Sequence, residues 1–220
     1  MLNKGGTRGR QSGLSLVELL VGAAIGLFLV GGATKLFIDT LDDSRRLIIE
    51  TRVNQDLRAA SDLVARDLRR AGYWPNALQA AVQPPGVLNP YSTTSVAPGE
   101  VLYAYARDGD NALNAATEQF GFQLDGNVIR VLNGGTWQQV TDLQSVVVTQ
   151  FSISPITRLE PAGHLCPTPC AAGTAGCPAV AVRRYDIVMT GHAPNDTRVV
   201  RQISESVRLR NDEVQPASCP

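Results

Sequence analysis

Glu18 is the first residue that could take part in chemistry, because it lies in a long apolar stretch near the N-terminus. It is the only ionisable side chain in residues 14–34. A charged side chain at the centre of a bilayer costs about 2.5–3.5 kcal/mol on insertion scales. A small residue, Gly13, directly precedes this stretch, and cleavage after it would make Glu18 the fifth residue of the new chain. The position of Gly13 and the presence of a carboxylate in a membrane-length apolar stretch are therefore the two features that need an explanation.

Four cysteines could form either disulfides or part of a zinc site. Cys166, Cys170 and Cys177 lie within twelve residues, His164 precedes them, and Cys219 is next to the C-terminus. Cysteine and histidine at short spacing can bind zinc. All four cysteines follow the apolar stretch, however, and beyond a membrane span they would lie in an oxidising compartment. We predict no metal site, one disulfide within the loop and one from the loop to Cys219, although three pairings are possible.

A polar segment around Asp108 matches a calcium-binding loop only in part. Asp108, Asp110 and Asn114 could provide oxygen ligands. Leu113 stands where such a loop needs glycine, and Gln119 stands where it needs glutamate. A polar turn is therefore the expectation.

No set of residues in the sequence is typical of catalysis. The chain has two histidines, His164 and His192, and no G-x-S-x-G segment surrounds a serine. The 20 basic and 20 acidic residues give a formal net charge of zero, so nothing global indicates nucleic-acid binding. We expect a protein that is not an enzyme and has no cofactor and no nucleic-acid partner.

A basic leader and an apolar helix would position the N-terminal site. Residues 1–13 carry Lys4, Arg8 and Arg10 and no acid. The next 21 residues would span roughly 31 Å as a helix, about one hydrocarbon core. The basic head predicts that the N-terminus stays in the cytoplasm while the rest crosses the membrane. No A-x-A pattern closes the apolar stretch, unlike in a secretory signal.

The same helix is predicted to continue beyond the membrane with an amphipathic surface. Apolar residues recur at helical spacing at Val53, Leu57, Ala60, Val64 and Leu68. Gly72 is a candidate C-cap, and Pro75 prevents further continuation. We predict one helix over residues 14–72, with residues 14–38 in the membrane.

Residues 73–220 are predicted to form an antiparallel β-sheet domain. Residues 75–100 are rich in proline, glycine and small polar residues, which indicates a surface loop. The turn sequences DGN (125–127) and NGG (133–135) divide three short strands. Further strands are expected at 101–106, 143–154, 180–191 and 199–210. A sheet packed against the amphipathic half of the helix is an α+β architecture.

Two of these strands allow finer predictions. The strand at 143–154 has an apolar centre, which is typical of an inner strand. In the strand at 199–210, Arg201 and Glu205 fall on the same face as the apolar residues, so its register stays open.

The N-terminal segment resembles the class III signal of type IV prepilins. The resemblance covers the short basic leader, Gly13 at the junction, Glu18 at the fifth mature position and the apolar helix, although Leu14 stands where the family norm is phenylalanine. Two further segments, ARDLRRAGYWP at the helix end and SESVRLRND at 204–212, resemble PilW-type minor pilins. The V-x-L-R-N ending also occurs in J-type pseudopilins of type II secretion.

The resemblance implies a pilin-like fold and a defined processing route. A prepilin peptidase would remove the leader after Gly13 and N-methylate Leu14. The new amine would then pair with Glu18 of a neighbouring subunit, because two membrane-inserted charges offset each other when paired. The helix would stay in the bacterial inner membrane as a single pass, with residues 73–220 in the periplasm.

The implied function is that of a minor pilin of a type IV pilus, which helps to initiate pilus assembly or forms part of the tip complex at the cell surface. Cell adhesion and twitching motility are the implied processes. The implied partners are prepilin peptidase, inner-membrane lipid, and other minor pilins and the major pilin through their N-terminal helices. Two alternatives stay open: a J-type pseudopilin of type II secretion, and an enzyme or sensor domain on an uncut membrane anchor.

Overall fold

The computed structural model describes Gly13 and residues 15–77, 89–109, 112–171 and 174–215. The chain divides into two units, Met1–Leu47 and Ile48–Pro220. Helix α1, Leu16–Leu68, has residues in both units. Antiparallel sheets follow it in the second unit and pack on its C-terminal half. The predicted pilin-like α+β architecture is therefore confirmed.

The first unit is formed by the apolar part of α1. Every described side chain in residues 15–47 is exposed. By length and composition, this helix can cross a membrane. The hydroxyls of Thr34 and Thr40 donate to the carbonyls of Val30 and Leu36, both at 2.8 Å. These polar groups are thus satisfied within the helix, as an apolar environment requires.

The second unit contains two antiparallel sheets rather than one. The first sheet has five strands in sequential order: β1 (Thr94–Ala97), β2 (Glu100–Ala104), β3 (Gln119–Asp125), β4 (Val128–Asn133) and β5 (Thr136–Gln139). The second sheet consists of β6 (Val147–Pro161), β7 (Ala179–Ala193), β8 (Asp196–Arg208) and β9 (Glu213–Gln215). In this sheet β7 pairs with β6, β8 and β9. A four-residue helix, α2 (Ala115–Glu118), precedes β3.

Both predicted hairpin turns are confirmed. Gly126 and Asn127 have φ values of 60° and 66°, and Gly134 and Gly135 have values of 59° and 74°. A two-residue turn with positive φ at both positions matches the twist of antiparallel strands. These turns therefore hold β3, β4 and β5 in a meander.

The C-terminal half of α1 provides one side of the core. The predicted apolar face is confirmed, since its five residues are at most 3% exposed: Val53, Leu57, Ala60, Val64 and Leu68. They pack with buried residues of both sheets, among them Phe122, Ile129, Ile187 and Met189. The contact with β7 is close, because a Cβ at Gly191 would lie 3.2 Å from Leu57 Cδ2 and 2.9 Å from the Val147 carbonyl.

Two local predictions near the end of α1 need correction. The helix ends at Leu68, and residues 69–72 form a turn that brings Gly72 to a positive φ of 75°. The expected surface loop at 75–100 contains strand β1, and Tyr91 within it is fully buried. The polar composition of this segment is typical of a surface loop, but burial of its aromatic residue and strand pairing fix part of it in the folded domain.

The prediction of an inner strand at 143–154 is wrong. Strand β6 begins at Val147, and among the described strands it pairs only with β7, at one edge of the second sheet. Its apolar residues Val148, Phe151 and Ile153 belong to the core that α1 completes. Burial against a helix, and not two flanking strands, explains the apolar centre.

Candidate processing and assembly site

Glu18 lies in the first turn of α1, which begins at Leu16. The Leu19 N–H donates to the Ser15 carbonyl at 3.1 Å, so the helical turn that contains Glu18 is hydrogen-bonded. A carboxylate in this position is stabilised by the positive end of the helix dipole. Gly13 precedes the helix, and no atom lies within 4 Å of the place that a Cβ would occupy there. Gly13 is therefore accessible, while Leu14 lies outside the described residues.

The described part of the chain gives Glu18 no hydrogen-bond or ion-pair partner, and its side chain is exposed. The next charged residue of α1 is Lys35, about 25 Å further along the axis at 1.5 Å per residue. The described residues therefore leave the carboxylate available for a positive charge on another molecule.

The apolar surface around Glu18 is also without internal contacts. Six large side chains that are more than half exposed illustrate it: Leu19, Leu20, Leu27, Phe28, Leu36 and Phe37. A continuous exposed apolar surface of this size indicates a membrane or protein contact. Gly22 and Gly26 have open space where a Cβ would be, and small residues at this spacing let another helix approach closely.

The cysteine-rich segment contains a disulfide between Cys170 and Cys177. Cys166 is also disulfide-bonded, and Cys219 lies outside the described residues, so its pairing stays a prediction. His164 is exposed beside this segment. Among the described residues, no group of three metal-ligating side chains is found.

The polar segment around Asp108 is organised by Glu118, which is fully buried. Its carboxylate accepts hydrogen bonds from the Arg107 and Asn114 backbone N–H groups, at 2.8 and 2.9 Å, and from the Tyr91 hydroxyl. Burial by itself raises the pKa of this carboxyl, but the N–H groups of Asn114 and Arg107, together with the Tyr91 hydroxyl, hold the pKa below its usual value. The Asn114 side chain caps α2, and Asp110 lies outside the described residues.

The chain segment after β8 caps the C-terminal end of α1. The Arg210 N–H donates to the Arg69 carbonyl at 3.1 Å. The Asn211 side chain donates to the Arg70 and Ala71 carbonyls at 3.4 and 3.3 Å. Carbonyls at a helix end need such donors. The V-x-L-R-N ending, which the sequence offered only as a resemblance, thus fastens the helix to the domain.

Gly72 completes this attachment. Its N–H donates to the Ala104 carbonyl, and its carbonyl accepts from the Asn89 side chain, both at 2.8 Å. Gly72 has a positive φ, and a Cβ there would lie 2.9 Å from Nη2 of Arg183. The partly buried Arg183 side chain in turn donates to the carbonyls of Ser92 and Asn211. A larger residue at position 72 would be strained and would displace this arginine.

The structure resolves the register of β8. Arg201 and Glu205 do lie on the face that carries the buried Val199 and Val207. Arg201 forms an ion pair with Glu50 of α1. Glu205 accepts a hydrogen bond from the Ser61 hydroxyl at 3.0 Å. The two charges therefore hold β8 and the helix together, a role that the strand sequence alone does not reveal.

Comparison with known proteins identifies the family. The family model of prepilin peptidase-dependent protein B matches residues 46–209, which is more than half of the chain. The model of the prokaryotic N-terminal methylation motif matches residues 8–34, which include Gly13, Leu14 and Glu18. No curated protein and no solved structure matches the chain. Pilin-like families of this kind are structural rather than enzymatic. The chain belongs to the prepilin peptidase-dependent protein B family and is a pilin-like protein that carries a prepilin signal.

Proposed function

We propose that this chain is a minor pilin of a type IV pilus, of the PilW type. Prepilin peptidase cuts it between Gly13 and Leu14 and N-methylates Leu14. The mature helix is held in the inner membrane, with the β-domain in the periplasm. It then joins other minor pilins and the major pilin, where it initiates pilus assembly or forms part of the tip.

The observation that carries this proposal is Glu18, an exposed carboxylate without a described partner, in the first turn of an apolar helix. An isolated anchor gains nothing from such a charge, which opposes membrane insertion. A subunit that pairs it with the new N-terminal amine of a neighbour gains both neutralisation and register. The match to the methylation motif over residues 8–34 supports the same interpretation.

The experiment is to replace Glu18 by alanine in the full chain, expressed in its own cells. Cleavage after Gly13 should proceed, because the junction itself is unchanged. Recovery of the protein in sheared pili should fall by about tenfold or more, since the neighbour's buried amine is left unpaired. Thr34→Ala, on the same helix, is the matched control and should be incorporated normally. Normal incorporation of the Glu18→Ala protein would contradict the pairing role.

Deletion of the gene tests which assembly machine the protein serves. If the protein serves a type IV pilus, its deletion should abolish twitching motility and leave secretion intact. Loss of secretion with twitching intact would instead identify a pseudopilin of type II secretion.

A further inference from the structure

The turn between β7 and β8 carries a sequence pattern that the assembly role does not use. Residues 195–197 read Asn-Asp-Thr, and this is the one Asn-x-Ser/Thr sequence in the chain. With a residue other than proline in the middle, this pattern is the acceptor sequence for glycosylation of an asparagine side chain. The pattern is short, and an acceptor must in addition be accessible and free of other contacts.

The structure places this sequence at the end of a long hairpin. Asn195 lies in the two-residue turn between Ala193 of β7 and Asp196 of β8. Strand β8 then bulges, because residues 197–199 have no Cα partner in β7. Asn195 and Thr197 are both exposed. An enzyme can therefore reach both residues without opening the core.

The two side chains that define an acceptor are free of contacts, whereas the side chain between them is held. In the described part of the chain, the Asn195 amide and the Thr197 hydroxyl form no hydrogen bond. Asp196 accepts from the backbone N–H, Nε and Nη2 of Arg198, at 3.1, 2.9 and 3.0 Å. The Asp196 carboxylate is thus engaged on its own strand and does not bind the Asn195 amide.

Other asparagines of the domain have structural roles that Asn195 lacks. Four of them hydrogen-bond to the main chain through their side chains: Asn89, Asn114, Asn127 and Asn211. Such bonds fix turns, helix ends and neighbouring segments. The fold therefore makes no use of the Asn195 amide, which stays available for a reaction.

We propose that Asn195 is an N-glycosylation site. The co-reactant is an activated sugar, joined at its anomeric carbon to a phosphate leaving group, and a glycosyltransferase brings the two together. Nδ2 of Asn195 forms a bond to the anomeric carbon, and the bond from that carbon to the phosphate oxygen breaks. The phosphate leaves with the electron pair of that bond, and the proton lost from Nδ2 passes to a base of the transferase.

The surroundings of Asn195 suit such a product. The Thr197 hydroxyl, two residues further on, is the second group that the transferase recognises. A sugar is bulky and strongly solvated, so it needs an exposed position of this kind. The inference goes beyond the proposed assembly role and does not depend on which machine the protein serves.

The test is peptide mass spectrometry of the full-length protein purified from its own cells. The peptide that contains Asn195 should carry added sugar mass, and an amidase that cuts the sugar–asparagine bond should remove it. Asn195→Gln should lower the modified fraction by about tenfold or more, because the acceptor is lost. Thr197→Val keeps the shape of the side chain without the hydroxyl and should have the same effect. Thr197→Ser keeps the hydroxyl and should retain the modification.

The matched control is Asn133→Gln, at an exposed asparagine that has no serine or threonine two residues later. It should leave the modified fraction unchanged. An unmodified Asn195 peptide in the wild-type protein would overturn the inference. So would sugar that persists in the Asn195→Gln protein, since it would then be attached elsewhere. The N-terminal peptide of the same samples reports cleavage after Gly13, so failure of the proposed function is distinguished from failure of this inference.

Discussion

The two halves of α1 have the same secondary structure and opposite surroundings. In residues 16–47 every side chain is exposed, although most of them are apolar. From Val53 to Leu68 one face is buried against two sheets. A helix that buries its apolar face within its own chain is stabilised by folding alone, whereas an exposed apolar helix needs a membrane or a neighbouring subunit.

Two carboxylates show the same contrast. Glu118 is buried and accepts hydrogen bonds from the Arg107 and Asn114 backbones and the Tyr91 hydroxyl. Glu18 lies in an apolar segment and has no partner among the described residues. The first charge has its hydrogen-bond donors within the folded domain, whereas the proposed function assigns the second a partner in a neighbouring subunit.

The largest effect is expected from paired leucine substitutions in the two halves. Leu57 is 0% exposed and Leu27 is 75% exposed. Leu57→Ala should lower the free energy of unfolding of the domain by about 2–5 kcal/mol, because it leaves a cavity in the core. Leu27→Ala should change it by about 0.5 kcal/mol or less. Urea titration of the full chain in detergent measures both values. Equal losses of unfolding free energy in the two variants would contradict the difference between the two halves of α1.

A smaller effect is expected from Glu118→Gln. The amide presents an N–H group to backbone donors, so the free energy of unfolding should fall by about 1–3 kcal/mol. Because the pKa of Glu118 is lower in the folded chain than in the unfolded chain, the stabilisation is complete above the unfolded pKa. It is lost as the pH falls through the folded pKa. Urea midpoints measured against pH should therefore converge for the two proteins in acid, and parallel curves would refute the assignment.

Asn211→Ala tests the attachment of the helix end. It removes the side-chain donor to the Arg70 and Ala71 carbonyls, which should cost about 1 kcal/mol. Hydrogen exchange should become faster in the last turns of α1 and stay unchanged in β3 and β4. The exposed Asn133, the last residue of β4, provides the control substitution.

The smallest effect is expected at the Arg201–Glu50 ion pair. The two side chains are 37% and 21% exposed, so solvent screens their attraction. A double-mutant cycle with alanine at both positions should give a coupling free energy of about 0.5–1 kcal/mol. A coupling of zero would mean that the pair does not hold β8 to the helix.

Local patterns account for what could be predicted from the sequence. The helical spacing from Val53 to Leu68 predicted the buried face, and the turn residues at 126–127 and 134–135 predicted the meander. The prepilin signal, which the methylation-motif match over residues 8–34 supports, is equally local, whereas the cut after Gly13 and the role of Glu18 stay predictions. Such features need no knowledge of tertiary contacts.

Features that depend on distant segments could not be predicted. Ser61 and Glu205 are 144 residues apart in the chain, and Asn211 lies 140 residues from the Ala71 carbonyl that it caps. In the strand sequence alone, Arg201 and Glu205 are charged residues on an otherwise apolar face. Their contacts with α1, which explain that position, come from distant parts of the chain. The division into two sheets likewise follows from pairings that no single strand encodes, since antiparallel partners are chosen by packing.

The central claim is that the exposed half of α1 begins at a cut made after Gly13. Mass spectrometry of the protein extracted from its own membranes tests it most directly. The account predicts a mature chain that starts at Leu14 and carries one added methyl group on its N-terminal amine. A chain that retains Met1, or one cut after the apolar stretch at residue 34, would contradict it.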